Sequence, residues 1–200
     1  MYRNTTFSRP ANVHVSAHTG NPTETGANEV AVGNYARQAV ATGASSGWAA
    51  SSNGITDNVS AITFPAATVA WGDVVGIGIW DAATAGNLLE AFWLTNEGWA
   101  FTGANAGDLI TAFGHTFANG DRVVLQPQLD SVIPAGLSAD TIYYVISVSG
   151  GTLQLSLTAG GAAIVLTGDG GGAIHKLQVK PIGVNDIFSL PAGNLDLQKI

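Results

Sequence analysis

The chain has 200 residues, seven basic against fourteen acidic, a net charge of −7 and no cysteine. That length can bury a real core as one large β domain or two small ones. The absent cysteines exclude disulfides and thiolate metal sites, and the sparse basic residues oppose nucleic-acid binding, which needs a concentrated cationic footprint. Only 10% of residues are charged, against about 25% in ordinary soluble domains. Such a surface either faces other subunits or is neutral and rich in Ser, Thr and Asn.

Residues 1 to about 35 read as an extended, mostly irregular arm. Met1–Phe7 leads into polar residues with no apolar core segment, so no secretion leader is expected, and no run reaches the roughly 18 apolar residues of a membrane span. Ala11–Ser16 alternates and could form a short strand, whereas Thr19–Glu29 is a polar loop dense in turn formers. Tyr35–Val40 is a second candidate strand. Its one charge, Arg37, can pair with Glu24 or Glu29, or cross to a neighbouring subunit. In the Gly/Ser/Ala stretch from Thr42 to Gly54, Trp48 reads as packed and Asn53-Gly54 is a tight-turn signal.

Ala61–Leu94 is the segment around which the rest is organised. Two β-branched runs, Ile62–Val69 and Val74–Trp80, flank a Trp71-Gly72-Asp73 turn; Asp81–Asn87 is a polar turn, and Leu88–Leu94 resumes the apolar pattern. In Gly76-Ile77-Gly78-Ile79-Trp80 apolar residues alternate with glycine, a period of two with one bare face that suits a strand against a close neighbour. The pattern predicts the meander of an all-β core.

From about Asn96 the texture changes. Asn119-Gly120-Asp121 turns into a strand through Leu125, and Pro134-Ala135-Gly136 is a further turn. Thr141–Val148 is the strongest strand signal, and Thr152–Leu157 alternates with Leu153, Leu155 and Leu157 on one face. Ala163–Thr167 reads as a strand, Gly168–Gly172 as a turn, and Ala173–Val179 as a strand. Five or six short strands with turns every 8 to 12 residues mark a small β barrel or sandwich. After turns at Gly183–Asp186 and Pro191–Asn194, Ile187–Leu190 and Leu195–Ile200 read as closing strands. No segment carries a 3.6-residue apolar stripe.

Several of these stretches resemble a known family. His18–Val30, Gly33–Val40, Thr63–Thr68, Trp71–Asp73 and Gly78–Leu89 look, in order, like tailed-bacteriophage virion proteins whose members are labelled tail fibre or minor structural proteins. Gly114–Val123, Leu137–Val145, Leu153–Ser156 and Gly161–Ile164 resemble a module that recurs in phage structural proteins. The family's closing strand pair, which follows its meander almost directly, resembles Val184–Leu197. The resemblance therefore implies an insertion: an antiparallel, jelly-roll-like β-sandwich host, residues 1–97 plus 178–200, with an extended N-terminal arm, and a small β-barrel or sandwich domain at residues 98–177. Loop tips tolerate such insertions. A linear pair, 1–110 and 111–200, is the alternative, and it leaves the host short of its closing strands.

The implied function is architectural: a head decoration or fibre-base protein assembling as a homotrimer on the virion surface, made in the host bacterial cytoplasm. Alternatively, it is a tail fibre or tail-tip component with a carbohydrate or receptor-binding role. The partners are then copies of itself, phage capsid or tail proteins and, on the second reading, a host surface glycan. Tyr2, Arg3, Phe7 and Arg9 mark the candidate docking arm, and Tyr35, Arg37, Trp71 and Trp99 the candidate interface. For Trp71 and Trp99 the core is the first reading, a subunit interface the second and a glycan platform the last.

No catalytic, cofactor or metal site is expected. His14 and His18 lie four apart with no helix to put them on one face, so a metal site with Glu24 or Glu29 has little behind it. His115 reads as making a local loop bond, and His175 as half exposed on a strand. Asp73, Asp81, Asp108, Asp121 and Asp169 adjoin turn formers, where carboxylates usually accept backbone N–H bonds. The glycine runs open no helix at phosphate-loop spacing, and no G-x-S-x-G elbow occurs.

Overall fold

A computed structural model describes residues 10–43, 47–52, 55–195 and 197–198. The docking-arm residues Tyr2, Arg3, Phe7 and Arg9 and the Asn53-Gly54 turn lie outside them. The described residues form strands and loops without a helix. They divide into two compact units, Met1–Phe92 with Lys180–Ile200, and Trp93–Val179.

The first unit is built on β1 (Asn12–His18), which lies second in a four-stranded sheet between β2 (Gln38–Ala41) and β6 (Gly76–Trp80), with β7 (Leu88–Trp93) beyond. The supposed arm therefore contains a central strand. Val15 pairs with Gln38 on one side and Ile79 on the other, and Ser16 pairs with Gly78. Side chains alternate across the sheet, so Val15, Ala17, Ile77 and Ile79 share an apolar face. His14, Ser16, His18, Gly76, Gly78 and Trp80 share the other. Residues 15–18 and 76–80 are all buried, which means both faces are covered; this is why glycine recurs in β6.

The expected meander is a different construction. β4 (Ile62–Thr63) pairs with β15 (Ser189–Leu190), and β5 (Gly72–Val74) with β14 (Lys180–Ile182). β3 (Ile55–Thr56) pairs with β16 (Leu197–Gln198). The Ile62–Val69 strand stops early at Pro65, which has no N–H for the ladder, although Ala67 N–H still reaches Asp186 O at 2.9 Å. Trp71-Gly72-Asp73 is the start of a strand rather than a turn, with Trp71 N–H donating to Ile182 O at 2.9 Å.

In the second unit six antiparallel strands close into a barrel: β8 (Thr95–Ala104), β9 (Leu109–Thr111), β10 (Arg122–Gln126), β11 (Tyr143–Ser149), β12 (Thr152–Ser156) and β13 (Gly170–Leu177), in the spatial order β10-β11-β12-β9-β8-β13. Phe101, Ile110, Val123, Leu125, Val145, Leu153, Leu155 and Ile174 fill the interior.

Two stretches differ from the sequence expectation. Ala163–Thr167 is irregular. Ile164 N–H reaches Leu155 O at 2.8 Å and Thr167 N–H reaches Ala135 O at 2.8 Å, so it is held by bonds in two directions rather than by one ladder. Conversely, Gly170-Gly171-Gly172 belongs to β13. A Cβ at Gly172 would stand 2.5 Å from Gln126 O, one at Gly171 2.8 Å from Phe101 O, and one at Gly170 would meet Val132 O. Close backbone approach, not turning, is what these glycines serve.

Leu157, expected beside Leu153 and Leu155, is 62% exposed because β12 ends at Ser156. Leu153→Ala is therefore expected to cost about 2–5 kcal/mol, whereas Leu157→Ala stays within about 0.5 kcal/mol of wild type. Urea unfolding of the two variants checks this, and equal losses would contradict the assignment.

Candidate functional site

The polar face of the sheet carries the densest group of side-chain hydrogen bonds in the first unit. Ser16 and His18, two apart on β1, point the same way, and both are completely buried. Gly78, opposite Ser16, makes room for them: a Cβ there would stand 2.5 Å from Ser16 Oγ and 2.9 Å from His18 Nε2. Ser16 Oγ lies 2.7 Å from His18 Nε2 and accepts Trp80 Nε1–H at 2.8 Å. His18 Nδ1 lies 2.7 Å from Ala27 O. A carbonyl oxygen only accepts, so Nδ1 carries the proton, Nε2 accepts, and the Ser16 hydroxyl donates to it. The proton order from Trp80 through Ser16 and His18 to Ala27 is thereby fixed.

These bonds fold the 19–29 loop back on β1. Thr19 N–H donates to Asn28 O at 2.9 Å, and Val30 N–H donates to Ala17 O at 3.0 Å. Gly26, with φ +73, lies on Trp80, whose ring a Cβ would strike. Both its backbone angle and the space require glycine.

Arg37 packs on the same indole ring, its guanidinium carbon 3.5 Å from the centroid. Nε and Nη2 donate to the two carboxylate oxygens of Glu29 at 2.8 and 2.7 Å. Nη1 donates to Ala82 O at 3.1 Å and Ala85 O at 2.7 Å in the turn between β6 and β7. Tyr35 completes the group: its hydroxyl donates to Glu29 Oε1 at 2.9 Å and accepts Ala17 N–H at 3.0 Å. The Tyr35 ring stacks on Phe64 and meets Trp71 edge-on, and Phe64 touches Phe188.

Charge states follow from these surroundings. Burial holds His18 below its ordinary 6.5, outweighing the Ala27 bond and the Glu29 charge that favour protonation. Burial pushes Glu29 upward, but hydrogen bonds from Arg37 and Tyr35 and the Arg37 charge overcome it, leaving the carboxyl below its ordinary 4.5. Burial also drives the Tyr35 hydroxyl well above its usual range. The group is a neutral histidine beside a complete ion pair.

A serine hydroxyl at hydrogen-bond distance from a histidine is the geometry of a nucleophile and its base. Here no substrate can reach Ser16, and Trp80 occupies its oxygen. Both His18 nitrogens are engaged, so it has no lone pair for a metal shared with His14. No cluster of metal-ligating residues occurs among the described residues. What this arrangement does is tie the loop, the turn and the sheet together.

Of the partners open to Arg37, Glu29 takes it and Glu24 stands exposed. Three candidate interface residues thus lie within the first unit's packing: Arg37 and Tyr35 in the polar group, and Trp71 buried among aromatic rings, its Nε1–H without a hydrogen bond. Trp99 is half-buried, edge-on to Phe117 of the second unit's core. His115 Nδ1 accepts Phe117 N–H at 3.1 Å, a local loop bond. Asp81 and Asp121 accept nearby backbone N–H groups, from Asn87 and Ala118, but Asp108 and Asp169 bond Leu166 and Asn105 across the chain. Ser16 and Gly26 are the participants that sequence reading passes over.

Residues 1–111 match a protein-family model described as Podophage GP4 fiber I protein gp80. The matched span takes in every member of the polar group and runs on through β9. No curated protein matches the chain.

His18 is expected to hold its proton on Nδ1 and to remain neutral as the pH is lowered through 6.5. The unfolded chain protonates near 6.5 while the fold resists. The histidine's contribution to stability is therefore complete above that pH and is lost as pH falls toward the lower folded value. Glu29 adds a loss of the same sign below about 4.5. Ring ¹⁵N chemical shifts followed through a pH titration check both points, and a His18 ring titrating at 6.5 or above would contradict them.

Proposed function

Because the chain belongs to the podophage fibre family gp80, and is thus a structural protein of the phage virion, we propose that it works in the tail-fibre apparatus as a non-enzymatic homo-oligomer. The observation that carries this is the family match over residues 1–111, whose description names a fibre. The other architectural reading, a head decoration or fibre-base protein, has less behind it. The chemistry agrees with a building block: there is no cysteine or catalytic motif in the sequence, and the contact of Ser16 with His18 is sealed inside the first unit.

In this reading the first unit is the base by which the protein sits in the particle, as a trimer. Tyr2, Arg3, Phe7 and Arg9 are then the residues by which the protein docks on a neighbouring virion protein. The second unit is a module inserted into a β-sandwich host. The pairing of β14, β15 and β16 with β5, β4 and β3 supports this, since the chain leaves the first unit after Phe92 and returns to it at Lys180. The inserted barrel is the part offered to a receptor or glycan on the host surface. The protein is made in the host cytoplasm and ends on the particle surface.

Immunogold labelling of intact virions with antibody against this chain tests the assignment. Gold is expected on the tail or its fibres; gold spread over the icosahedral head would overturn the tail-fibre reading in favour of decoration.

A further inference from the structure

Exposed apolar side chains gather at one place on the first unit. Val32 is 43% exposed, Val69 51%, Val184 57% and Ile187 59%, and they stand on three segments bonded side by side. Asn34 Nδ2–H donates to Ala66 O at 2.7 Å, and its Oδ1 accepts Thr68 N–H at 3.1 Å. Gly33, next to Val32, lies against Val69: a Cβ there would stand 3.5 Å from that of Val69. From the other side, Ala67 N–H donates to Asp186 O at 2.9 Å, and Asn185 N–H donates to Ala67 O at 2.7 Å. Val184 and Ile187 flank those two residues.

One exposed aliphatic residue needs no explanation, but four on adjoining segments form the kind of patch that marks an interaction site. All four are β-branched, with little rotamer freedom to lose on burial.

The charges nearby indicate what covers the patch. Residues 32–34, 66–69 and 184–187 carry one ionisable side chain, Asp186, and its Oδ2 already accepts Gly183 N–H at 2.7 Å. The chain as a whole carries −7, so two copies repel wherever their acids face each other. Here they can meet without that repulsion, whereas a strongly charged partner would find nothing complementary. We infer that Val32, Val69, Val184 and Ile187 form the apolar centre of the contact through which one copy of this chain binds a second. The inference rests on the fibre reading for the presence of several copies together, and it adds the surface they use.

Sedimentation velocity over a concentration series, with full-length protein, tests it. Wild type is expected to self-associate, and Val69→Asp/Ile187→Asp to do so at least about tenfold more weakly, with the same thermal unfolding when both are dilute enough to be monomeric. Should the aspartates disturb folding, Val69→Ser/Ile187→Ser takes their place. The absence of cysteine permits a second readout: Ile187→Cys is expected to give covalent dimers with a bifunctional maleimide, and Thr23→Cys not to. A wild type that stays monomeric throughout, or a double variant that associates like wild type, overturns the inference. Neither outcome moves the gold on the virion, so a wrong surface and a wrong particle location are distinguishable.

Discussion

A guanidinium held between a carboxylate and an indole ring sets the terms for the first unit. Arg37 is almost wholly removed from water, and a buried charge is tolerated only when its partners are complete. Those partners come from separate stretches of chain: Glu29 from the end of a loop, Trp80 from β6, and the Ala82 and Ala85 carbonyls from the turn after it. The loop, the strand and the turn must all be in place for the charge to be satisfied. Ala85 (φ 52) and Gly86 (φ 77) are both in the left-handed region, where the alanine carries a conformational cost. The bond from Arg37 to Ala85 O holds the turn in that form.

The ion pair and the Ser16–His18 run work as one structure. Tyr35 joins them, with its hydroxyl between Glu29 and the backbone of β1, and Trp80 joins them again by donating to Ser16 while its ring supports Arg37. A fully satisfied buried network specifies a single arrangement where an apolar core would permit several. That suits a virion component, whose task is to hold a shape. It also explains why a serine beside a histidine does no chemistry here: Ser16 Oγ and both ring nitrogens of His18 are engaged, and both residues are sealed from solvent.

Much of this was legible from residue order, and the failures have physical causes. The glycine alternation at Gly76–Trp80 correctly signalled a strand under a close neighbour, and Glu29 was one of two partners offered to Arg37. Helical spacing is the wrong test for His14 and His18, and it leaves Ser16 unnoticed, since on a strand residues two and four apart share a face; the period of two is the signal to use. Polar residues around β1 made it look like an arm, because burying both faces of the sheet puts His14, Ser16 and His18 where a simpler core has valine. The Gly170–Gly172 run was read as a turn because its cause, three backbone carbonyls standing close to it, lies far away in sequence. Nothing local distinguishes a glycine that turns from one that is crowded.

A double-mutant cycle on Arg37 and Glu29 tests most directly whether this buried group holds the first unit together. Arg37→Met and Glu29→Gln are each predicted to cost about 1–3 kcal/mol in urea unfolding, because each removes the opposite charge from a partly desolvated partner and leaves hydrogen-bonding groups unpaired. The double variant should recover a large part of that loss, the sign of strong coupling. Single losses near zero, or a double variant as unstable as the sum of the two, would show that the pair is incidental to the fold.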